Sequence, residues 1–216
     1  MSVLKSTGTG FDIAKTYGSV IAMSAITNAA EAVGTLANGH GLTVGKIVEV
    51  SSGWSRLDKR IARVKAVATD DVTFEGINTS NLTFFPAGQG IGSVREITDW
   101  DEIKQVGDVD TSGGDQKFDD VTFMTDDDEK QIPTTRSAIN LKFTVFDDPT
   151  MAFYATVQNA SDTGEVAALR MRFRNGATLY NSAYWSMQES PNVKRGKANT
   201  IPVNCAYVAK PTRYAS

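Results

Sequence analysis

Three arginines at alternate positions could together bind an anionic group. Arg170, Arg172 and Arg174 are separated by single apolar residues in the stretch RMRFR. Because residues two apart in a strand lie on the same face, we predict a stripe of three guanidinium groups, called here the arginine stripe. The Asn-Gly pair at 175–176 is typical of a two-residue hairpin turn, which would place Arg172 opposite Leu179. No acidic residue then lies opposite the stripe within the hairpin.

The arginine stripe can be interpreted in three ways. It can be an ordinary solvated strand face. It can bind nucleic acid, but such sites interleave aromatic with basic residues, and here we expect Phe173, Tyr180 and Tyr184 on the opposite face. It can contact carboxylates of a second copy of the chain, a role that suits the planar, bidentate guanidinium group. We adopt the third interpretation and assign the stripe to a subunit interface.

Other patterns that could do chemistry are incomplete. GQGIG at 88–92 resembles a phosphate-binding loop, but no Lys-Ser/Thr follows it and it does not join a strand to a helix. One histidine, His40, and one cysteine, Cys205, are too few for a Cys/His zinc site or a disulfide framework. The acidic run at 126–129 lacks the spacing of a calcium loop. We therefore predict no catalytic residue, no metal site and no cofactor, and thus a protein that is not an enzyme.

The elements that position these residues are predicted to be strands. Apolar and polar residues alternate with period two in stretches such as KIVEVSS and SAINLKFTV. The predicted strand regions are 19–28, 46–52, 60–68, 72–77, 117–125, 137–145, the hairpin 170–185 and 198–210. One helix is predicted, with Asp148 as its N-cap, Pro149 in its first turn and Gly164 beyond its end. The predicted fold class is mainly β, with two packed antiparallel sheets (a sandwich or barrel) and one flanking α-helix.

Charge divides the chain unevenly, although we predict a single domain over residues 1–216. The net charge is +1 over residues 1–98, −10 over 99–129 and +6 over 130–216. Such asymmetry indicates complementary surfaces. We expect residues 1–15 to form an N-terminal arm. We expect 99–136 to be an acidic inter-subunit loop region that is mobile until it meets another copy.

Two further predictions concern location. No apolar run approaches the roughly 18 residues of a membrane span, so no membrane partner is expected. The stretch MSVLKSTGTGFD has no apolar core of a signal peptide, so we expect the chain to be made and to stay in a reducing cytoplasm, or to leave it only as part of a larger assembly.

Three longer stretches carry a resemblance that the short motifs do not. They are GKIVEVSSGWSRLDKRIARVKAV at 45–67, SGGDQKFDDVTFMTDDDEKQIPTTRSAINLKFTVFDDP at 112–149 and NGATLYNSAYWSMQESPNVKRGKANTIPVNCAYVAK at 175–210. In this order and spacing they resemble the major tail tube proteins of long-tailed, non-contractile bacteriophages. The resemblance implies a tail-tube type fold, in which two packed sheets carry a flanking helix.

The resemblance also implies a function. Hexameric rings would stack into a hollow tail tube through which the genome passes into the host. The implied partners are other copies of the chain, the tail tape measure, tail-tip and terminator proteins, and double-stranded DNA in transient, non-specific passage. The implied location is the virion tail, assembled in the host cytoplasm.

Site residues follow as expectations from this picture. The subunit interface would contain the arginine stripe and its acidic counterpart, Asp126, Asp127, Asp128 and Glu129. A cationic bore would retard DNA, so we expect a polar and acidic lumen, with Asp119 and Asp120 as candidates.

Two alternatives remain open at this point. One is a single-ring tail completion, terminator or tail-tip protein on the same scaffold. The other is a soluble nucleic-acid-binding module that uses the arginine stripe.

Overall fold

The computed structural model describes residues 8–125 and 127–215 of the chain. It is mainly β, with 49% strand and 6% helix, which confirms the predicted fold class. The described strands are β1 (Gly10–Tyr17), β2 (Ile21–Ile26), β3 (Val33–Leu36), β4 (Ile47–Ser52), β5 (Arg60–Ala68), β6 (Asp71–Phe74), β7 (Gly92–Glu102), β8 (Val106–Ser112), β9 (Gln116–Asp120), β10 (Gln131–Arg136), β11 (Asn140–Phe146), β12 (Val166–Arg172), β13 (Thr178–Met187), β14 (Thr200–Tyr207) and β15 (Thr212–Tyr214). The described helix, α1 (Ala152–Thr163), lies between β11 and β12.

Six strands close into a barrel. Their order is β2–β3–β6–β5–β4–β7, and β7 pairs with β2 to complete the ring. The interior is filled by branched and aromatic side chains, including Val48, Val50, Leu57, Val72 and Phe74. Because the strands close on themselves, this part of the molecule leaves no free edge for another chain to extend.

The second sheet shares β7 with the barrel and continues from it. Its order is β7–β1–β12–β13–β14–β11–β8, with β15 beside β13. Helix α1 covers one face, where Phe153 and Val157 pack into a core with Phe143, Leu169 and Trp185. Among the described strands the order ends at β8, so the outer edge of β8 has no pairing partner within residues 8–125 and 127–215.

A third apolar cluster joins the barrel to the second sheet. Ile61 and Ile97 from barrel strands pack with Ala168, Tyr180 and Tyr214 of the second sheet. Tyr17 adds a hydrogen bond, since its hydroxyl accepts from the backbone N–H of Ala168 at 2.9 Å. The face of the second sheet that α1 leaves uncovered is therefore partly buried by the barrel.

Strands β9 and β10 form a separate two-stranded ribbon that extends the β8–β11 pair. Pairing of β8 with β11 ends at Ser112 and Asn140, and pairing of β9 with β10 begins at Gln116 and Arg136. Backbone hydrogen bonds between residues 114–115 and 137 connect the two segments. We call residues 116–136 the β-arm. Its described residues are exposed except for two of intermediate burial, so the β-arm projects from the molecule.

The predicted N-terminal arm is wrong for residues 10–15. These residues belong to β1, which is hydrogen-bonded to β7 on one side and β12 on the other. Phe11 and Ile13 are buried, and so is the intervening Asp12. Glycines at 8 and 10 suggested a flexible segment, but the alternation that follows them is that of a central strand. Residues 1–7 lie outside the described residues.

The region 99–136 is also more ordered than predicted. Residues 99–102 complete β7, and β8 is hydrogen-bonded along β11, so only the β-arm projects. The helix likewise begins later than predicted. Its N-cap is Met151, and Asp148 instead accepts hydrogen bonds from the N–H and hydroxyl of Thr150 in the preceding turn.

Candidate subunit interface

The hairpin that carries the arginine stripe has a different register from the predicted one. Arg172 lies opposite Thr178 and Arg170 opposite Tyr180, one residue away from the expected pairing. The connection has three residues, because the N–H of Phe173 donates to the carbonyl of Ala177. Gly176 has φ +85° and therefore adopts the left-handed conformation. A two-residue type I′ turn would also need a positive φ at Asn175.

No acidic residue lies opposite the stripe within the hairpin, as predicted, but two of its three arginines have an acidic partner on another strand. The carboxylate of Asp12, on β1, accepts from Arg170 Nε at 2.8 Å and from Arg172 Nε and Nη2 at 2.7 and 2.9 Å. Arg172 Nη2 also donates to Glu102 on β7 at 2.6 Å. The hydrogen bond to Asp12 raises the pKa of Arg172. We call Asp12, Glu102, Arg170 and Arg172 the Asp12 cluster.

Aromatic residues surround the Asp12 cluster, which corrects a second expectation. Tyr180 lies directly opposite Arg170 and therefore projects from the same face, not the opposite one. The guanidinium of Arg170 lies 4.6 Å from the centre of the Trp100 ring, and Trp100 in turn packs against Tyr180. Arg170 is thus held between a carboxylate and an indole, as expected of a residue that locks two strands together.

Arg174 differs from the other two arginines of the stripe. It lies in the three-residue connection, is exposed, and forms no ion pair with any residue in 8–125 or 127–215. It is the member of the stripe whose charge is free to meet another molecule. A role of the whole stripe in subunit contacts stays a prediction.

The predicted acidic partners lie in the connection between β9 and β10. Asp127, Asp128 and Glu129 are exposed there, at the far end of the β-arm, and we call them the acidic tip. Asp126 lies outside the described residues. Large apolar side chains accompany the acids on the β-arm, with Phe118 57% and Ile132 51% exposed. A two-stranded ribbon without a packed face is marginally stable by itself, so this composition favours contact with a partner.

The two residues proposed for the bore, Asp119 and Asp120, are both exposed on β9. They are neighbours in a strand, so their side chains point to opposite faces of the β-arm. Asp120 accepts a hydrogen bond from Gln131 at 2.8 Å, and Asp119 lies opposite Ile132. Any surface in contact with one face of the β-arm can therefore contain only one of the two.

A polar strand face that the sequence analysis did not single out lies on the second sheet, away from α1. Register places Asp110 opposite Lys142 and Lys142 opposite Asn204. The exposed side chains of this face, called here the open face, are Asp108, Asp110, Ser112, Asn140, Lys142, Tyr184, Ser186, Asn204 and, at its margin, Phe146. Acidic and neutral polar groups outnumber the single lysine. The alternation within 137–145 indicated which residues of β11 face outward, but β8 was not recognised as a strand.

Among residues 8–125 and 127–215, no three His, Cys, Asp or Glu side chains form a group that could hold a metal ion. Cys205 is buried, and burial raises its pKa, which keeps the thiol protonated. His40 instead shapes its own loop, since its Nδ1 accepts from the N–H of Leu42 at 3.1 Å. Within the described part of the chain, no helix is both long and apolar enough to cross a membrane.

Comparison with known protein families shows to which family the chain belongs. Residues 52–216 match the family described as phage tail tube protein, TTP. The chain belongs to the phage tail tube protein family. The matched range covers three of the six barrel strands (β5, β6 and β7), the last residue of β4, the whole second sheet except β1, the β-arm and the helix. We found no match among curated proteins.

Family membership confirms the resemblance found in the sequence. A tail tube protein is a structural component of the phage tail, and its family is not one of enzymes. The exposed β-arm, the acidic tip and the open face are therefore candidate surfaces of an assembly.

Proposed function

We propose that copies of this tail tube protein form hexameric rings and that the rings stack into the hollow tube through which the phage genome enters the host. The observation that carries the proposal is the family match over residues 52–216. The fold supports it through the features that a self-assembling tube requires: a free sheet edge, a projecting contact element and a polar surface for the bore.

Ring closure needs two different surfaces on each subunit, because neighbours in a ring meet head to tail. The described part of the chain offers β8, the free edge of the second sheet, and the outer edges of the β-arm. Pairing of an edge with the adjacent copy would satisfy backbone groups that otherwise face water and would prevent unspecific aggregation. We therefore place β8 at the contact between neighbours in a ring.

We assign the open face to the bore. Six copies of a basic surface would bind phosphate groups cumulatively and slow the passage of DNA. The open face carries two carboxylates, Asp108 and Asp110, and one ammonium group, Lys142. It should therefore not attract the phosphate groups of DNA. Asp119 and Asp120 remain candidates for the lumen, but only one of the two can face it.

The subunit contacts would use the acidic tip and Arg174. We retain Arg170 and Arg172 as secondary candidates, because 24% and 42% of their side chains stay exposed although both are paired with Asp12. The wider partners that follow from this role are the tape measure, tail-tip and terminator proteins, with assembly in the host cytoplasm.

Negative-stain electron microscopy of the purified protein, alone and after addition of tail-tip complexes, tests the proposal. We expect long hollow filaments of constant diameter. Isolated rings that never stack would instead support a completion or terminator protein. Particles that remain monomeric but shift duplex DNA in a low-salt gel would support a nucleic-acid-binding module.

A further inference from the structure

The loop between β13 and β14 carries three cations close together in the sequence. Lys194, Arg195 and Lys197 are all exposed. Within residues 8–125 and 127–215, many other lysines and arginines form ion pairs, for example Lys46 and Arg63, but these three do not. We call residues 188–199 the basic loop.

The basic loop is preformed rather than loose. The N–H of Asn192 donates to the carbonyl of Thr200 at 2.8 Å, the reverse bond measures 3.3 Å, and the N–H of Lys197 donates to the carbonyl of Lys194 at 3.1 Å. These bonds frame a cavity of about 290 Å³ lined by Asn192, Lys194, Lys197, Ala198 and Thr200. Its volume is close to the lower end of the range for ligand pockets, about 300 Å³. The lining includes two lysines and an asparagine, which are residue types that can bind carboxylates.

The basic loop and the acidic tip lie at opposite ends of the second sheet. Strand β14 begins beside the basic loop, where Thr200 pairs with Phe146, and it ends beside the root of the β-arm, where Ala206 pairs with Asn140. The six residue steps between these pairs span roughly 20 Å. The β-arm projects further in the same direction, so the tip of a copy is directed away from its own basic loop.

We propose that the basic loop of each copy binds the acidic tip of the β-arm of a copy in the adjacent ring. Opposite charges at opposite ends of one sheet cannot pair within a monomer and give a head-to-tail contact that repeats without closing, which is the geometry of a filament. The three cations match the three described acids of the tip. The proposal rests on the tube proposed above, because it names the contact that stacks its rings.

Charge reversal tests this contact in the full-length chain. The loop variant carries Lys194→Glu, Arg195→Glu and Lys197→Glu, and the tip variant carries Asp127→Lys, Asp128→Lys and Glu129→Lys. A double variant combines all six changes and restores the wild-type net charge. The control variant reverses three exposed cations elsewhere, Arg56, Lys104 and Lys210, to Glu, and so changes the net charge as much as the loop variant does.

Polymer is measured by sedimentation and electron microscopy, and the fold of each monomer by circular dichroism. The amount of sedimenting polymer should fall more than about tenfold in the loop variant and in the tip variant, because like charges then meet at the contact. The double variant should recover tubes, and the control variant should keep them. A folded double variant that stays monomeric, or a loop variant that polymerises like wild type, overturns the proposal.

Failure of this proposal can be separated from failure of the proposed function. If wild type and control variant form tubes and the loop variant does too, only the stacking contact is wrong. If wild type forms no tubes even with a tail tip, the tube itself is wrong. Loss of low-salt duplex DNA binding by the loop variant, with tubes intact, would assign the basic loop to phosphate groups and overturn the proposed contact.

Discussion

At the scale of single residues, Asp12 is the shared partner of two arginines of the stripe. Only 3% of its side chain is exposed, and it joins β1 to β12 through two guanidinium groups. A buried carboxylate is tolerated because both of its oxygens accept hydrogen bonds from cations. The stripe therefore stabilises the subunit first, and any role in assembly is added to that.

Asp12→Ala should lower the free energy of unfolding by about 3 kcal/mol, since it leaves Arg170 and Arg172 beside each other without their shared partner. Urea denaturation followed by fluorescence measures the loss. Asp110→Ala is the matched control, because Asp110 is exposed and belongs to no ion pair within 8–125 and 127–215, and it should change stability by less than about 0.5 kcal/mol. Equal effects of the two substitutions would refute a structural role for the Asp12 cluster.

Arg172→Glu should also destabilise the monomer, because it places a third carboxylate beside Asp12 and Glu102. It is therefore a poor probe of assembly. Arg174→Glu is the better probe, and we expect it to leave the melting temperature unchanged while it weakens polymerisation. A similar drop in melting temperature for both variants would show that Arg174 is also needed for the fold.

Buried tyrosines should make stability depend on pH in the alkaline range. Burial raises the pKa of Tyr17, Tyr207 and Tyr214 from 10.0 to about 12. The unfolded state releases these protons first, so their contribution is complete below pH 10 and is lost as the pH rises through 12. Tyr207→Phe should flatten the decline in the urea midpoint between pH 9 and 12. An identical decline in the variant would exclude this tyrosine as a source.

At the scale of elements, β7 connects the two halves of the molecule. It pairs with β2 and β4 within the barrel and with β1 outside it. Gly92 lies where β7 meets β2 and β4 together, and a Cβ atom there would stand 2.1 Å from the carbonyl oxygen of Ser51. Barrel closure thus requires glycine at this position.

Gly92→Ala should therefore cost about 3 kcal/mol, because the clash is with backbone that two strand pairings hold in place. Gly18→Ala is the control, since its nearest neighbour would be at 3.6 Å, an ordinary contact. Thermal unfolding compares the two variants. A Gly92→Ala protein as stable as the Gly18→Ala protein would show that the barrel can shift to accept a methyl group.

Much of the element pattern could be predicted from local alternation, and its failures have physical causes. β4, β5, β11 and the β12–β13 hairpin show clear period-two patterns. β8 was missed because Asp108 and Asp110 alternate with a glycine and a half-buried valine, so neither face looks apolar. The hairpin register was off by one because an Asn-Gly pair fits both two- and three-residue connections.

The candidate site was harder to predict than the fold. The pairing of Asp12 with Arg170 and Arg172 spans about 160 positions in the chain, and no local pattern reports such a contact. The exposure of the acidic tip could be predicted directly from the sequence, because a run of charges without apolar residues is exposed in almost any fold. The basic loop was visible in the sequence as VKRGK, but its place opposite the tip required the strand pairing.

At the scale of the whole molecule, the β-arm should gain most of its order on assembly. Its described residues form a two-stranded ribbon that does not pack on either sheet, so its amides should exchange rapidly in the monomer. In the tube they should become protected, whereas β11 should be protected in both states because β8 and β14 flank it. Hydrogen exchange with mass spectrometry measures this, and equal protection of residues 116–136 in both states would contradict a stacking role.

The central claim is that identical copies of this chain dock around an open axis. Frozen-hydrated filaments of the purified protein, averaged end-on by electron microscopy, test it most directly. The account predicts rings of six subunits around a bore wide enough for a DNA duplex, lined by the open face of the second sheet. A solid filament, a bore lined by the basic loop, or a protein that stays monomeric with a tail tip present would contradict it.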